Sequence, residues 1–146
     1  MTVVNHVGHC VTDLKRSRRF YESVLGFTHA HDLVVPDGPA STLLRVPPPV
    51  GMTACYLRLG TFTLELLAFD RDGNAPRRDR SFTEPGLTHL SVSVADLVEA
   101  CRLAEQLGGE VLADTDVAGR AILVRDPDGQ VIELLPEPAP APPPAG

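Results

Sequence analysis

The sequence predicts an α+β fold built from one unit used twice. Two observations carry that expectation. HVGHCVTDL at positions 6–14 and HLSVSVADL at 89–97 both fit HxxxxVxDL, and each leads from an alternating strand pattern, through an aspartate, into a helical pattern.

The elements follow in order. In the first copy, the opening strand ends at Asp13, an N-cap candidate, and a helix is expected over 14–24, stopped by Gly26. Strand-like runs follow at 29–35, 41–46, 53–59 and 62–69, with Leu59 and Gly60 turning the last pair. In the second copy, Asp96 is the N-cap candidate and Glu99, three places on, completes a capping-box pattern. The helix should run over 97–107 and stop at Gly108 and Gly109, with strands at 110–112, 121–125 and 131–135. DPDG at 126–129 combines a proline that presets a turn with a glycine that accepts positive φ, so the strands on either side should form a hairpin. Each unit therefore reads as a strand, a helix and then further strands. Residues 1–70 form the first, 71–85 a polar connection, 86–136 the second, and 137–146 a solvated Pro/Ala tail.

Length and composition bound the function. A chain of 146 residues holds one compact body, too small for separate cofactor and substrate domains. Its net charge of −6, with basic residues scattered among acidic ones, offers no face to nucleic acid or to anionic lipid. No apolar run approaches the roughly 20 residues that span a bilayer, and the N-terminus lacks a secretory pattern, so a cytoplasmic protein is expected. Cys10, Cys55 and Cys101 are odd in number and lack CxxC spacing, which argues against a disulfide framework.

Strand parity sorts the chemistry-bearing residues. Side chains at alternate positions share a face, so His6, Gly8 and Cys10 oppose Val7, His9 and Val11, while His89, Ser91 and Ser93 oppose Leu90, Val92 and Val94. The aliphatic face should pack on the following helix, which leaves His6 and His89 on small, polar faces open to a cavity. His9 matches Val92 across the repeat and is assigned a structural place. His29 and His31 are read as solvated. Glu65 and Glu133 stand in the last strand of each copy, in runs apolar enough to be core, and a carboxylate there needs a positive partner. An arginine (Arg45, Arg58, Arg120 or Arg125) is the plain choice. A metal is the alternative, because one histidine and one glutamate from each copy offer two nitrogens and two oxygens to a divalent ion.

NHVGHCVTDLKRSRRFYESVLGF, GLTHLSVSVADL and VRDPDGQVIELL resemble the vicinal oxygen chelate superfamily, which includes glyoxalase I, methylmalonyl-CoA epimerase, fosfomycin and bleomycin resistance proteins and extradiol dioxygenases. The similarity extends to Pro136. It implies paired βαβββ modules whose mixed sheets curl around one metal cleft, in a homodimer, with His6, Glu65, His89 and Glu133 as ligands of one divalent ion (Ni, Co, Mn, Zn or Fe). The ligand order is that of glyoxalase I, and epimerases of the family commonly carry glutamine at the place of Glu65. The expected chemistry is isomerisation or epimerisation of a small carbonyl substrate by proton transfer next to the carbonyl, through a metal-stabilised enolate, with Glu133 and Glu65 moving the proton. A glyoxalase I-type lyase on a thiol hemithioacetal, a non-catalytic small-molecule or resistance protein, and a ring-cleaving dioxygenase are the alternatives, in that order. Cys10, Met52, Tyr56, Ser91 and Arg120 are candidates for the cleft wall.

Overall fold

The computed structural model describes residues 1–70 and 78–138. Part of the polar connection and most of the Pro/Ala tail therefore lie outside the described residues.

The first module runs β1 (Val7–Cys10), α1 (Leu14–Leu25), β2 (Thr28–Val34), α2 (Asp37–Leu44), β3 (Met52–Leu59) and β4 (Phe62–Phe69). The second runs β5 (Leu90–Val94), α3 (Leu97–Gln106), β6 (Glu110–Leu112), β7 (Ile122–Arg125) and β8 (Val131–Pro136). Each module folds into a four-stranded mixed sheet, ordered β1-β4-β3-β2 and β5-β8-β7-β6, and the two sheets do not close on one another. In each, the first strand lies parallel to the last: Gly8 pairs with Glu65, and Ser91 with Glu133. The repeat seen in the sequence is thus a repeat of sheet topology.

The helix signals act as the residue types dictate. Asp13 accepts from the Arg16 N–H and Asp96 from the Glu99 N–H, each supplying an acceptor for an amide with no partner inside its helix. At the other end of α1, Gly26 takes the left-handed conformation at φ 76°.

The strand expected over 41–46 is instead the end of helix α2. A six-residue run with three apolar positions does not separate strand from helix, and the determinants lie just upstream. Pro39 falls in the first helical turn, where its missing N–H breaks no intrahelical bond. Asp37 turns its carboxylate back to the Val50 and Gly51 N–H groups at 3.1 Å, anchoring the segment across the following loop. Ala40 is then buried against Val50, Met52 and Ala54, so α2 covers one end of the first sheet on the face opposite α1.

The main core lies between the two helices α1 and α3 and the sheet faces they cover. Phe20, Tyr21, Leu57, Leu66, Val124, Ile132 and Leu134 are fully buried there. Gly109 permits the fit: a Cβ at that position would lie 2.5 Å from the Arg125 carbonyl oxygen and 2.8 Å from the Phe20 ring. The turn at 126–129 also ties the modules together. Asp126 is buried, with one carboxylate oxygen accepting from the Asp128 and Gln130 N–H groups and the other bonded to His9 Nε2 at 2.7 Å and the Tyr21 hydroxyl at 3.0 Å. Asp128 accepts from the Thr12 N–H and hydroxyl and from Arg16 at the start of α1. His9 therefore takes the structural place that its repeat match to Val92 predicts.

Candidate metal centre

The face of each sheet turned away from its helix carries one histidine and one glutamate. In the first module, His6 precedes β1 and Glu65 sits in β4, with Nε2 and Oε2 3.0 Å apart. In the second, His89 precedes β5 and Glu133 sits in β8, at 3.8 Å. The parallel pairing of first and last strands makes each pair, because it sets the residue two before Gly8 or Ser91 beside the carboxylate opposite that residue.

Each histidine is oriented by the residue before it. His6 Nδ1 lies 2.6 Å from Asn5 Oδ1 and His89 Nδ1 lies 2.8 Å from Thr88 Oγ1, which turns Nε2 of both rings toward the glutamates. Asn5 and Thr88 were not singled out from the sequence, although both stand at the same place in the repeat. Such hydrogen bonds to the far ring nitrogen commonly fix the tautomer of a ligating histidine. His6 Nδ1 faces the Asn5 amide oxygen, which leaves Nε2 and the Glu65 carboxylate, 3.0 Å apart, as two lone-pair donors side by side. That donor arrangement fits a divalent ion.

The two glutamates are held differently. Glu65 is buried, and its second oxygen accepts from the Tyr56 hydroxyl at 2.5 Å. Burial, together with the neighbouring Glu65 carboxylate, pushes the Tyr56 phenol up to about 12, so it is a permanent donor at neutral pH. Tyr56 in turn lies edge-on to His6 and is stacked on His31 at 4.5 Å. The Glu133 side chain is 32% exposed and accepts from Ser91 Oγ at 2.6 Å. Among the described residues, no arginine is ion-paired to either glutamate; Arg125 is engaged with Glu110 and Asp79.

Of the other candidates for the cleft wall, Tyr56 and Ser91 touch the glutamates. Met52 is packed beneath α2. Cys10 ends β1 with its thiol pKa raised by burial and by Asp128, and Arg120 is exposed in the turn before β7. His29 and His31 are exposed, as expected, but both are engaged, His29 with Asp32 and His31 with Tyr56.

Within one chain the two pairs stay apart. Among the described residues, the one group of three or more His, Cys, Asp or Glu ligand atoms within 4.8 Å of each other is His29, Asp32 and Cys55. An apolar cavity of about 270 Å³ between the modules is lined by Val7, Leu64, Leu90 and His89 among others, but by none of His6, Glu65 and Glu133.

Two βαβββ modules, each presenting a His/Glu pair on its open face, define a vicinal oxygen chelate type of protein. The chain belongs to the Glyoxalase/Bleomycin resistance protein/Dioxygenase superfamily, whose family profile matches residues 3–134. Glyoxalase I from Leishmania major, described as trypanothione-dependent, is 25% identical with a TM-score of 0.65, over 90% of this chain and 84% of that one. A glyoxalase family protein from Bacillus cereus superposes with a TM-score of 0.80 at 16% identity, covering 95% and 96% of the two chains. The fosfomycin resistance protein FosX from Mesorhizobium loti gives 0.62 at 17% identity, covering 92% and 91%. None of the curated proteins compared matches the chain. Among the described residues, no helix is long and apolar enough to cross a membrane.

Proposed function

We propose that the protein is a divalent-metal-dependent isomerase or epimerase that moves a proton at a carbon next to a carbonyl. The observation that carries this reading is the pair of equivalent half-sites, His6 with Glu65 and His89 with Glu133, each histidine with Nε2 turned toward its glutamate. These four residues would hold the ion, which when bound supplies a Lewis acid for a carbonyl oxygen. Family relatives support a metal there: FosX from Listeria monocytogenes is described as complexed with Mn(II).

The chain's own groups divide the remaining work. Glu133 is the more exposed carboxylate, and the Ser91 hydroxyl aims it without burying it, which suits a base that takes a proton from a substrate carbon. Glu65 is buried and fixed by Tyr56, which suits a ligand whose position must not vary. Return of the proton by Glu133 gives isomerisation; return by Glu65 on the opposite side gives epimerisation.

Because the two pairs lie apart in one chain, the reading includes a homodimer in which the first module of one copy faces the second module of the other. A mixing experiment tests this. The H6A/E65Q and H89A/E133Q variants each lack one half-site. Co-refolded in equal amounts, they should recover about a quarter of the wild-type metal bound at the His/Glu site, since half the dimers are mixed and each mixed dimer keeps one of two such sites. No recovery would place the complete site within one chain. For the reaction itself, metal-dependent deuterium uptake from solvent into small 2-substituted carbonyl acids or thioesters is expected. The likeness to a glyoxalase I supports lyase action as a second reading, for which the readout is turnover of a thiol hemithioacetal without solvent deuterium in released substrate.

A further inference from the structure

The first sheet carries reactive side chains on both faces, and a β-bulge is the reason. His29 and Asp32 are three residues apart and in a regular strand would point to opposite sides. The pairing of β2 with β3 shifts register between His29 and His31, which reverses the parity at Ala30. His31 is thereby sent to the open face, against Tyr56, while His29 is turned to the helix-covered face with Asp32 and its cross-strand partner Cys55.

We propose that His29, Asp32 and Cys55 form a second metal site, for zinc or a similar borderline-soft divalent ion, on the face of the sheet opposite the His/Glu pairs. The three offer one imidazole nitrogen, one carboxylate oxygen and one sulfur, all within 4.8 Å of one another, with His29 Nε2 and Asp32 Oδ1 already at 2.9 Å. Zinc–ligand bonds of about 2.0 to 2.3 Å in a tetrahedron place ligand atoms about 3.3 to 3.6 Å apart, so the widest separation would close by up to about 1.5 Å while His29 and Asp32 open by about 0.4 Å. A thiolate with an imidazole favours zinc over magnesium or calcium. Cys55 is buried in the core beside α1, while His29 and Asp32 reach solvent, so an ion has a fixed sulfur at its base and an open entry. The nearest other charges, Arg18 and Glu22, are paired with each other and leave little net charge beside the site. A nucleophilic or redox role for Cys55 fits less well: burial and the hydrogen bond it donates to Asp32 push the thiol up to about 12, which favours its protonated form until a metal replaces the proton.

Sulfur separates this site from the first, because His6, Glu65, His89 and Glu133 contribute none. In a C10S/C101S background, where Cys55 is the remaining thiol, Co(II) should produce a sulfur-to-cobalt charge-transfer band in the near ultraviolet that saturates at one ion per chain. Adding C55S should abolish the band. H29A, at an exposed position that leaves the core untouched, should weaken Co(II) binding by at least about tenfold. H6A/H89A should leave the band intact while removing the other metal equivalent, so failure of the His/Glu reading and failure of this one give different results. Absence of the band under excess Co(II), its insensitivity to H29A, or its loss in H6A/H89A would each overturn the proposal.

Discussion

The tie between Asp126 and the first module sets a quantitative test of how the two modules hold together. The Asp126 side chain has no exposed surface, and its two oxygens accept from His9, the Tyr21 hydroxyl and the backbone N–H groups of Asp128 and Gln130. Burial by itself would raise its pKa, but His9, the Gln130 N–H and Tyr21 outweigh that penalty and hold it below the usual carboxylate range. Replacing Asp126 by alanine removes the acceptor from four donors at once and should cost about 3–5 kcal/mol, the range for breaking a buried pair on one side. D126N keeps an oxygen for the two backbone donors, and H9V leaves three of the four donors in place. Each should cost about 1.5–3 kcal/mol, the value of hydrogen bonds to a charged group. Urea unfolding followed by circular dichroism reads all three, and a double-mutant cycle between H9V and D126N isolates the pair. The sign of the pH dependence follows from the lowered pKa. The contribution is complete above the unfolded value of about 3.9 and is lost as pH falls through the folded value, so the gap between wild type and D126N should narrow in acid. A D126A variant within about 1 kcal/mol of wild type at pH 7, or a gap that widens below pH 4, would refute the account.

Three further outcomes are expected. E133Q preserves the acceptor for Ser91 but removes the base together with one anionic ligand, so solvent-deuterium exchange into substrate, read at saturating metal, should fall by about 10²- to 10⁴-fold. Y56F leaves a buried oxygen of Glu65 without its donor and should weaken metal binding by about 10- to 100-fold, measured by competition with a chromophoric chelator; an unchanged affinity would remove Tyr56 from the support of the site. G109A forces a Cβ against the Arg125 carbonyl, where no side-chain rotation gives relief, and should destabilise by about 3 kcal/mol or more in the same urea assay.

The sequence by itself determined the repeat, and with it much of the fold. Strand alternation, the Asp13 and Asp96 caps, Gly26 and the turn at 126–129 are local signals: each depends on bonds within a few residues of chain, so composition and spacing were enough to read them. Parity also put His6 and His89 on the open faces, since the period of a strand is fixed by its backbone. What spacing does not encode is which strands pair and where register slips. Helix α2 was missed because its anchor is a hydrogen bond from Asp37 across the loop to Val50 and Gly51. The roles of Asn5, Thr88 and Tyr56 beside the glutamates and their histidines needed the parallel pairing of β1 with β4 and β5 with β8, and the antiparallel pairing of β3 with β4. The cluster of His29, Asp32 and Cys55 depended on a single bulge that reverses strand parity, and a bulge is a property of two paired strands that neither strand announces alone.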